Sequence, residues 1–515
     1  MKGYVQMARH VVSIAFCLPF AVTAFAECRF IAHGWDTFCL TPKEILASAG
    51  MLDKTPYDGV SVALPGCDRL MTSADWTVGQ FADEIKTMRK FAGHRSLRDT
   101  LLFANLAPQK RLDWRDDKAW AKAASNMRTL AAIAKAGGLR GVIGDIEDYW
   151  GAKQFRHKEG DPPFDEACAV ARRRGAELFR GFFDEYPDVL MLMFTFFTLD
   201  IHYFPLLDPC ARMREVGDLL PSFYNGMLDV MPPGARIIDG NETSYMADAE
   251  KREFQCIAGF SRTHILPLVA SENRDKYRAQ VLTSLGLYLD SYTKTNKAST
   301  TYWAPKDGSR LERFRANLDQ AADVADTYVW IYGERYMFVD WKISAPKTKF
   351  GFLAAPFSNG TWEDALPGVN SMMACVKDPV KWVSTTFEQE RRAGRFANLV
   401  KGETVSFPLV KDAFEVNGGK ATTGDYYAFK VSVPDTPDAK AIAFFKTPDG
   451  QWRLGAQTIP LRSNSKYGRK EGVAILRAAT WINRIGTVGM EIKAPSVKPG
   501  EERDKVFVGI YRLRW

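Results

Sequence analysis

After residue 26 the chain has no apolar run long enough for a helix to span a bilayer, which excludes a helical membrane domain beyond its first residues. It contains no C-x-x-C, so neither a zinc ribbon nor a thioredoxin-type motif is supported. The six histidines show neither H-x-H nor H-E-x-x-H spacing. A metal-dependent hydrolase built on His33, Asp36, His202 and acids therefore lacks its ligand pattern, and no metal or cofactor is expected. Basic residues form no concentrated stripe. Arg172-Arg173-Arg174 and Arg391-Arg392 read as solvated helix faces, so nucleic acid is not an expected partner. Repeats, low-complexity tracts and long charge runs are missing as well.

What is present is ordinary globular composition, with 46% hydrophobic and 25% charged residues in a chain of 515. That length exceeds one standard core, so two domains are expected, one of them large. Lys2 and Arg9 form a short basic head before the apolar run Val11 to Ala24. Ala24-Phe25-Ala26 then supplies the small-x-small pattern of a cleavage site. Residues 1–26 are read as a cleaved export signal, which predicts a periplasmic or extracellular protein with no membrane partner once the signal is gone. The formal charge of +8 becomes +6 when Lys2 and Arg9 leave. Eight cysteines include Cys17 in the signal, which leaves an odd number. Export permits disulfides, with Cys28 or Cys39 pairing to Cys67 as the plausible choices.

From residue 27 to 345, short apolar runs alternate with amphipathic stretches, the pattern of parallel β/α architecture. Strands are predicted at Arg29 to Trp35, Asp58 to Leu64, Thr100 to Leu106, Arg140 to Ile146, Val189 to Phe197, Ala235 to Ile238, Leu285 to Leu289 and Thr327 to Tyr332. Thr41-Pro42-Lys43-Glu44 carries a cap, a first-turn proline and a capping-box acid. Helices are also expected over Asp117 to Ala136, Asp165 to Glu185, Leu219 to Val230 and Arg310 to Ala325. Eight such units predict a closed (β/α)8 TIM-type barrel. Residues 346–395 read as a connecting segment. Residues 396–515 alternate with period two, as in a small antiparallel β-sandwich, with a hairpin across Pro448-Asp449-Gly450 and Trp452 and Trp481 read as core.

Barrels of this kind carry their chemistry at the carboxyl ends of the strands. There the chain places Trp35, Asp36, Asn105, Asp145, Glu147, Asp148, Tyr149, Asp239, Glu242, Asp290 and Glu334. Glycosyl transfer needs a proton donor and a second carboxylate, so a ring of acids with aromatics between them fits sugar chemistry. Asp145-x-Glu147-x-Tyr149 is the strongest local signal. Alternation puts both acids on one side, and two close carboxylates raise one pKa. Glu147 is assigned as general acid, Asp145 as its tuner and Tyr149 as a sugar contact. Asp239-Gly240-Asn241-Glu242 is the second signal; its acids either face the cleft as Glu147's partner or belong to a helix cap led by Asn241. Asp290 and Glu334 are further candidates that could instead neutralise an arginine. Trp35, Trp150, Tyr203, Tyr245, Tyr292, Trp303, Trp330 and Tyr332 could stack on sugars, and Asp36 with His33 could bind their hydroxyls.

The strings His33-Gly34-Trp35-Asp36, Thr41-Pro42 and Pro56-Tyr57-Asp58-Gly59-Val60 resemble the opening of secreted bacterial glycoside-hydrolase-like barrels, a poorly characterised group. Its D-x-E-x-Y, D-G-x-E and Y-V-W-x-Y-x-E strand ends match Asp145 to Tyr149, Asp239 to Glu242 and Tyr328 to Glu334. The resemblance covers residues 29 to 340 and implies a barrel and a site. The D-x-E pair is also similar to that of chitinase-like barrels, which use the substrate's acetamido group as nucleophile, but their fuller acidic motif is absent. The expected function is hydrolysis of a polysaccharide or oligosaccharide. The competing expectation is a non-catalytic glycan-binding or envelope-assembly protein that kept the cleft. Oligomeric state is not legible.

Overall fold

The capping box at Thr41 forms as the sequence dictates. Glu44 N donates to Thr41 Oγ1 at 3.3 Å and Thr41 N donates to Glu44 Oε2 at 2.9 Å, with Pro42 opening the helix Pro42–Leu52. Helices Asp117–Ala136, Phe164–Glu185, Leu220–Val230 and Arg310–Val324 follow at the expected places. This computed structural model describes residues 28–71, 75–197, 208–306, 308–343, 355–378, 382, 399–400, 405–408, 413–421, 426–436, 438–464, 468–478, 485–493 and 505–513. The expected export signal (residues 1–26), His202, Tyr203, Arg391, Arg392 and Trp481 lie outside the described residues. Among the described residues, no helix is long and apolar enough to cross a membrane.

Nine parallel strands make the barrel: β1 (Arg29–Gly34), β2 (Gly59–Ala63), β3 (Leu101–Asn105), β4 (Gly141–Asp145), β5 (Leu190–Met193), β6 (Arg236–Asp239), β7 (Val281–Thr283), β8 (Leu285–Tyr288) and β9 (Tyr328–Gly333). Their order is β7-β6-β5-β4-β3-β2-β1-β9-β8. Because β7 and β8 are separated only by Ser284, they form one stave that pairs with β6 through its first half and with β9 through its second. The expectation of a stave starting at Leu285 is thus corrected: it begins at Val281 and is interrupted. With that stave counted once, the sheet is a (β/α)8 TIM-type barrel. Its strands are buried almost throughout, as parallel strands covered on both faces must be.

The fifth strand is shorter than expected, four residues where Val189 to Phe197 was predicted. Beyond it the backbone serves the neighbouring loop. Met193 O accepts from Gly240 N at 2.8 Å, Phe194 O from Glu242 N at 3.0 Å, and Phe196 N donates to Asp239 Oδ1 at 3.0 Å. Aromatic rings fill the barrel just below its mouth. Phe194 stacks on Trp330 at 4.8 Å, and His33 lies against Phe103 at 5.4 Å and Tyr332 at 5.5 Å. The Trp330 ring has room only because residue 286 is glycine; a Cβ there would sit 2.7 Å from the indole.

The C-terminal part is an antiparallel sandwich. Its strands are β10 (Leu399–Val400), β11 (Val405–Pro408), β12 (Ala413–Lys420), β13 (Tyr426–Pro434), β14 (Lys440–Lys446), β15 (Arg453–Ile459), β16 (Arg462–Asn464), β17 (Arg469–Arg477), β18 (Thr487–Lys493) and β19 (Lys505–Leu513). One sheet runs β10-β19-β13-β17-β16 with β11 also on β19, and the other runs β12-β18-β14-β15. Tyr427, Phe429, Val431 and Val433 of β13 and Val488, Met490 and Ile492 of β18 alternate into a shared core. Trp452, expected in that core, is instead 67% exposed beside the β14–β15 hairpin. Cys28 is a buried thiol, so the Cys28–Cys67 option is not realised.

A buried charge network ties the last barrel helix to the sandwich. Asp319, fully buried, accepts from Arg315 Nη1 at 2.7 Å and from the Tyr426 hydroxyl at 2.5 Å, with Arg477 Nε at 3.6 Å. Removing one member of such a network strands the others in low dielectric. Asp319→Ala is expected to lower stability by about 3–5 kcal/mol, read as a drop in the urea midpoint at unchanged slope.

Candidate active site

Strand register assembles the mouth. Asn105 at the end of β3 is the direct partner of Asp145 at the end of β4, and its Nδ2 donates to Asp145 Oδ2 at 3.2 Å. The same Nδ2 lies 3.3 Å from Glu147 O, while Glu147 N donates to Asp145 Oδ1 at 2.8 Å. Asp145 is therefore locked in place and 1% exposed. Glu147, one step further out, is half-buried, and its Oε2 accepts the Tyr149 hydroxyl. Tyr149 also hydrogen-bonds Asp145.

Opposite them, the Asp239-Gly240-Asn241-Glu242 turn is pinned from several sides. Trp330 Nε1 donates to Gly240 O at 2.7 Å from below. Gly240 is needed because a Cβ would lie 2.7 Å from Met193 O. Asn241 adopts a left-handed conformation, φ 46°, which asparagine tolerates better than most residues. Its Nδ2 donates to Asp239 O and Ser284 O, both at 3.0 Å, and its Oδ1 accepts the Ser261 hydroxyl at 2.7 Å. Ser244 continues the clamp, with its Oγ donating to Gly286 O and accepting from Gly286 N, each at 2.8 Å. Ser284 interrupts the seventh stave and Gly286 lies in its second half, so the loop after β6 takes hydrogen bonds that a continuous ladder would use.

This turn brings Glu242 to the β4 acids. Burial, then the charges of Glu147 and Asp145, push the Glu242 carboxyl up to about 8. Burial and the Glu147 charge likewise push Asp145 up to about 8, against the bonds from Glu147 N, Tyr149 and Asn105 that favour its ionised form. Three carboxyl groups thus share one electrostatic environment, and their protonation steps belong to the cluster. Both readings of the second motif are partly realised. A short 3₁₀ turn does begin at Glu242, yet its side chain belongs to the acid cluster.

Tyrosines wall the mouth. Tyr245 stacks on Tyr332 at 5.8 Å and 7°, and Tyr288 on Tyr332 at 5.3 Å. Tyr288 and Tyr332 donate to Glu334 at 2.7 and 3.0 Å, and the Trp35 indole hydrogen-bonds the Tyr332 hydroxyl. Glu334 therefore orients the wall.

The remaining expected site residues lie below or behind the mouth. Asp239 is fully buried and accepts from Phe196 N and Asn241 N, at 3.0 and 3.4 Å. Trp330 is 1% exposed and forms the floor, which removes it from sugar stacking. Asp290, also buried, accepts from Glu334 N at 2.8 Å with Arg335 Nε at 3.6 Å, and burial raises it to about 6. Asp36 holds Phe338 N, Trp341 Nε1 and Thr37 N at 2.7–2.8 Å in full burial, far from a sugar-binding role; burial raises it to about 6. Its partner in that expectation, His33, bonds Ser61 Oγ at 2.8 Å, and burial lowers it to about 3. Tyr292 is buried, and its hydroxyl accepts from Asn317 at 2.9 Å. Among the described residues, no group of three or more His, Cys, Asp or Glu side chains is arranged to hold a metal ion.

Sequence reasoning missed Tyr288 and the Asn241–Ser244 clamp. Period two along Gly286 and Tyr288 was the available signal for the first. The second depends on contacts some forty residues away and leaves no local mark.

Fold and site together define a (β/α)8 barrel with an appended antiparallel sandwich and an acidic, tyrosine-walled mouth. No protein-family model matches the chain, and no curated protein matches it. Among solved structures it is similar to an exo-β-1,4-mannosidase from Opitutaceae bacterium strain TAV5, at 14% identity and TM-score 0.37, over 69% of this chain and 60% of that one. The chain thus spans only about 60% of the mannosidase's length. A GH18 chitinase from Pseudoalteromonas aurantia matches at 11% identity and TM-score 0.29, over 59% of this chain and 93% of that one. A D-psicose 3-epimerase with D-tagatose from Clostridium cellulolyticum H10 matches at 8% and 0.34, over 68% and 98%. These are distant likenesses, and the reading of the site rests on its own geometry.

Two outcomes follow from the electrostatics and the clamp. Asp145 and Glu242 keep protons in the folded state up to about pH 8, whereas unfolded carboxyls titrate near ~4. The folded state binds more protons in that window, so the stability they contribute at low pH is lost as pH rises through about 8. The thermal midpoint should fall across that interval, and the Asp145→Asn, Glu242→Gln double variant should flatten the fall. Asn241→Ala removes the amide's bonds to Asp239 O, Ser284 O and the Ser261 hydroxyl and takes from Ser284 O its side-chain donor, which should cost about 1–3 kcal/mol in urea unfolding.

Proposed function

We propose that this protein is a glycoside hydrolase that works by carboxylate acid–base catalysis at the mouth of the barrel. The observation that carries the reading is that the clamped turn after β6 brings Glu242 to Asp145 and Glu147 at the end of β4, where burial and neighbouring charge raise Asp145 and Glu242. A carboxyl that holds its proton at neutral pH is what protonation of a glycosidic oxygen requires. Glu242 suits that role because it stands at the mouth, whereas Asp145 is sealed behind Glu147. Glu147, oriented by the Tyr149 hydroxyl, is then the second carboxylate, attacking the anomeric carbon or taking a proton from the attacking water. The proton-donor role expected for Glu147 accordingly passes to Glu242, and Asp145 remains the tuner.

In this scheme Glu242 delivers its proton to the leaving oxygen as the glycosidic bond breaks, and water supplies the hydroxyl at the anomeric carbon. The Tyr245, Tyr288 and Tyr332 wall with Trp35 presents ring faces and hydroxyls to a sugar. The same proposal sets this activity outside the cytoplasm, a reading supported by the basic head Lys2 and Arg9 before the apolar run Val11 to Ala24.

On a panel of glycans, Glu242→Gln and Glu147→Gln should each lower kcat by roughly 10²–10⁴-fold. The wild-type kcat/KM should fall as pH rises through about 8, where the Glu242 proton is lost. A wild-type protein that binds glycans yet releases no product from any of them would replace this reading with a glycan-binding function.

A further inference from the structure

Large apolar side chains exposed to solvent are few among the described residues: Val78, Tyr149, Trp150, Met246 and Trp452. Scattered single cases need no explanation, but here three of the five stand on the two loops that carry the acids. Tyr149, 63% exposed, and Trp150, 40% exposed, stand two and three residues after Glu147. Met246, 40% exposed, ends the turn that begins at Glu242. The apolar rims therefore flank the carboxyl cluster on the β4 side and on the β6 side.

The β4 rim is held rigid. Asp148 accepts from Ala152 N at 2.9 Å and Lys153 N at 2.6 Å, closing the turn, with Gly151 at φ +71°. Gln154, 2% exposed, fixes the far end by exchanging bonds with Leu112 at 2.7 and 3.2 Å. The Tyr149 ring is further fixed by its hydroxyl on Glu147. An aromatic platform ordered before binding loses little entropy when a ligand arrives. The Tyr149 and Trp150 rings lie at 88° with centroids 6.1 Å apart. One pyranose ring cannot lie flat on both.

We propose that a chain of several sugars crosses the mouth, with Tyr149 and Trp150 holding units on one side of the carboxyls and Met246 holding units on the other, so that the bond cut lies inside the chain. This rests on the hydrolase reading for the cut itself, while the binding track stands on the rims. A protein partner fits less well, because stable protein interfaces need on the order of 1,000 Å² of matched surface. Here isolated rings stand beside acids and hydroxyls, the chemistry of a polyhydroxylated ligand with apolar ring faces.

The test measures binding of β-1,4-linked manno-, cello- and N-acetylchito-oligosaccharides, from disaccharide to hexasaccharide, to the full-length Glu242→Gln protein by calorimetry. Affinity for at least one series should rise with chain length. Adding Trp150→Ala should weaken the hexasaccharide of that series about ten-fold, or ~1.4 kcal/mol. Met246→Ala should weaken it about three-fold. Disaccharide affinity should stay unchanged in both. Trp150→Phe should restore most of the loss, and Trp452→Ala, on the sandwich, should change nothing. Retention of full hexasaccharide affinity by either rim variant overturns the proposal, as does the absence of binding by all three series. So does self-association of the protein that Trp150→Ala abolishes. Length-dependent binding with no product from the wild type would leave the track standing and remove the hydrolase reading.

Discussion

The loop after β6 competes with the barrel for the hydrogen bonds of the seventh stave, and the mouth depends on the loop winning. Asn241 takes Ser284 O and Ser244 takes both polar groups of Gly286. The ladder from β6 therefore stops at Thr283, and the second half of the stave is held by β9 instead. Buried backbone groups must be paired, so the break survives only because side chains of the loop satisfy what the strands release. The same bonds carry Glu242 inward to face Glu147 and Asp145. The gap in the sheet and the placement of Glu242 are one event.

Raised carboxyl values alone do not mark the site. Asp36 and Asp290 are raised by burial too, yet Asp36 is held by Phe338 N, Thr37 N and the Trp341 indole, and Asp290 by Glu334 N beside Arg335. What separates Asp145 and Glu242 is that neighbouring carboxylates, Glu147 first among them, add to burial in raising each. Neutral groups supply the compensation: the Asn105 amide and the Glu147 N–H donate to Asp145, and the Tyr149 hydroxyl donates to Glu147. Glu334 plays a different part, accepting two tyrosine hydroxyls and so fixing the wall against which a ligand would lie.

The loops that bear the acids also bear the exposed apolar rims, which links chemistry to recognition through a few residues of backbone. From Asp145 to Gln154 the chain passes from a sealed carboxyl to an open ring and back to a buried amide. Each step is pinned by a named bond, so movement of the Asp148 turn would displace Glu147 and Trp150 together.

Much of this could be read before any coordinates. Alternating apolar runs and amphipathic stretches determined the parallel barrel, because strand and helix periods are local consequences of backbone geometry. The Thr41 capping box and the helix Asp117–Ala136 were legible for the same reason. So was the acidic end of β4, since carboxylates closing an apolar strand are costly to place without a partner. Other features were decided only when distant segments met. Local pattern could not tell that Asp36 would turn toward Trp341, that Trp330 would become a floor, or that the fifth strand would stop at Met193. Nor could it tell that the seventh stave would break at Ser284, or that burial beside the β4 acids would raise Glu242. The acidic strand end belonged to the sequence. Which of its neighbours shares its field was set by the clamp, because pKa shifts depend on through-space distance and burial, which only tertiary packing creates.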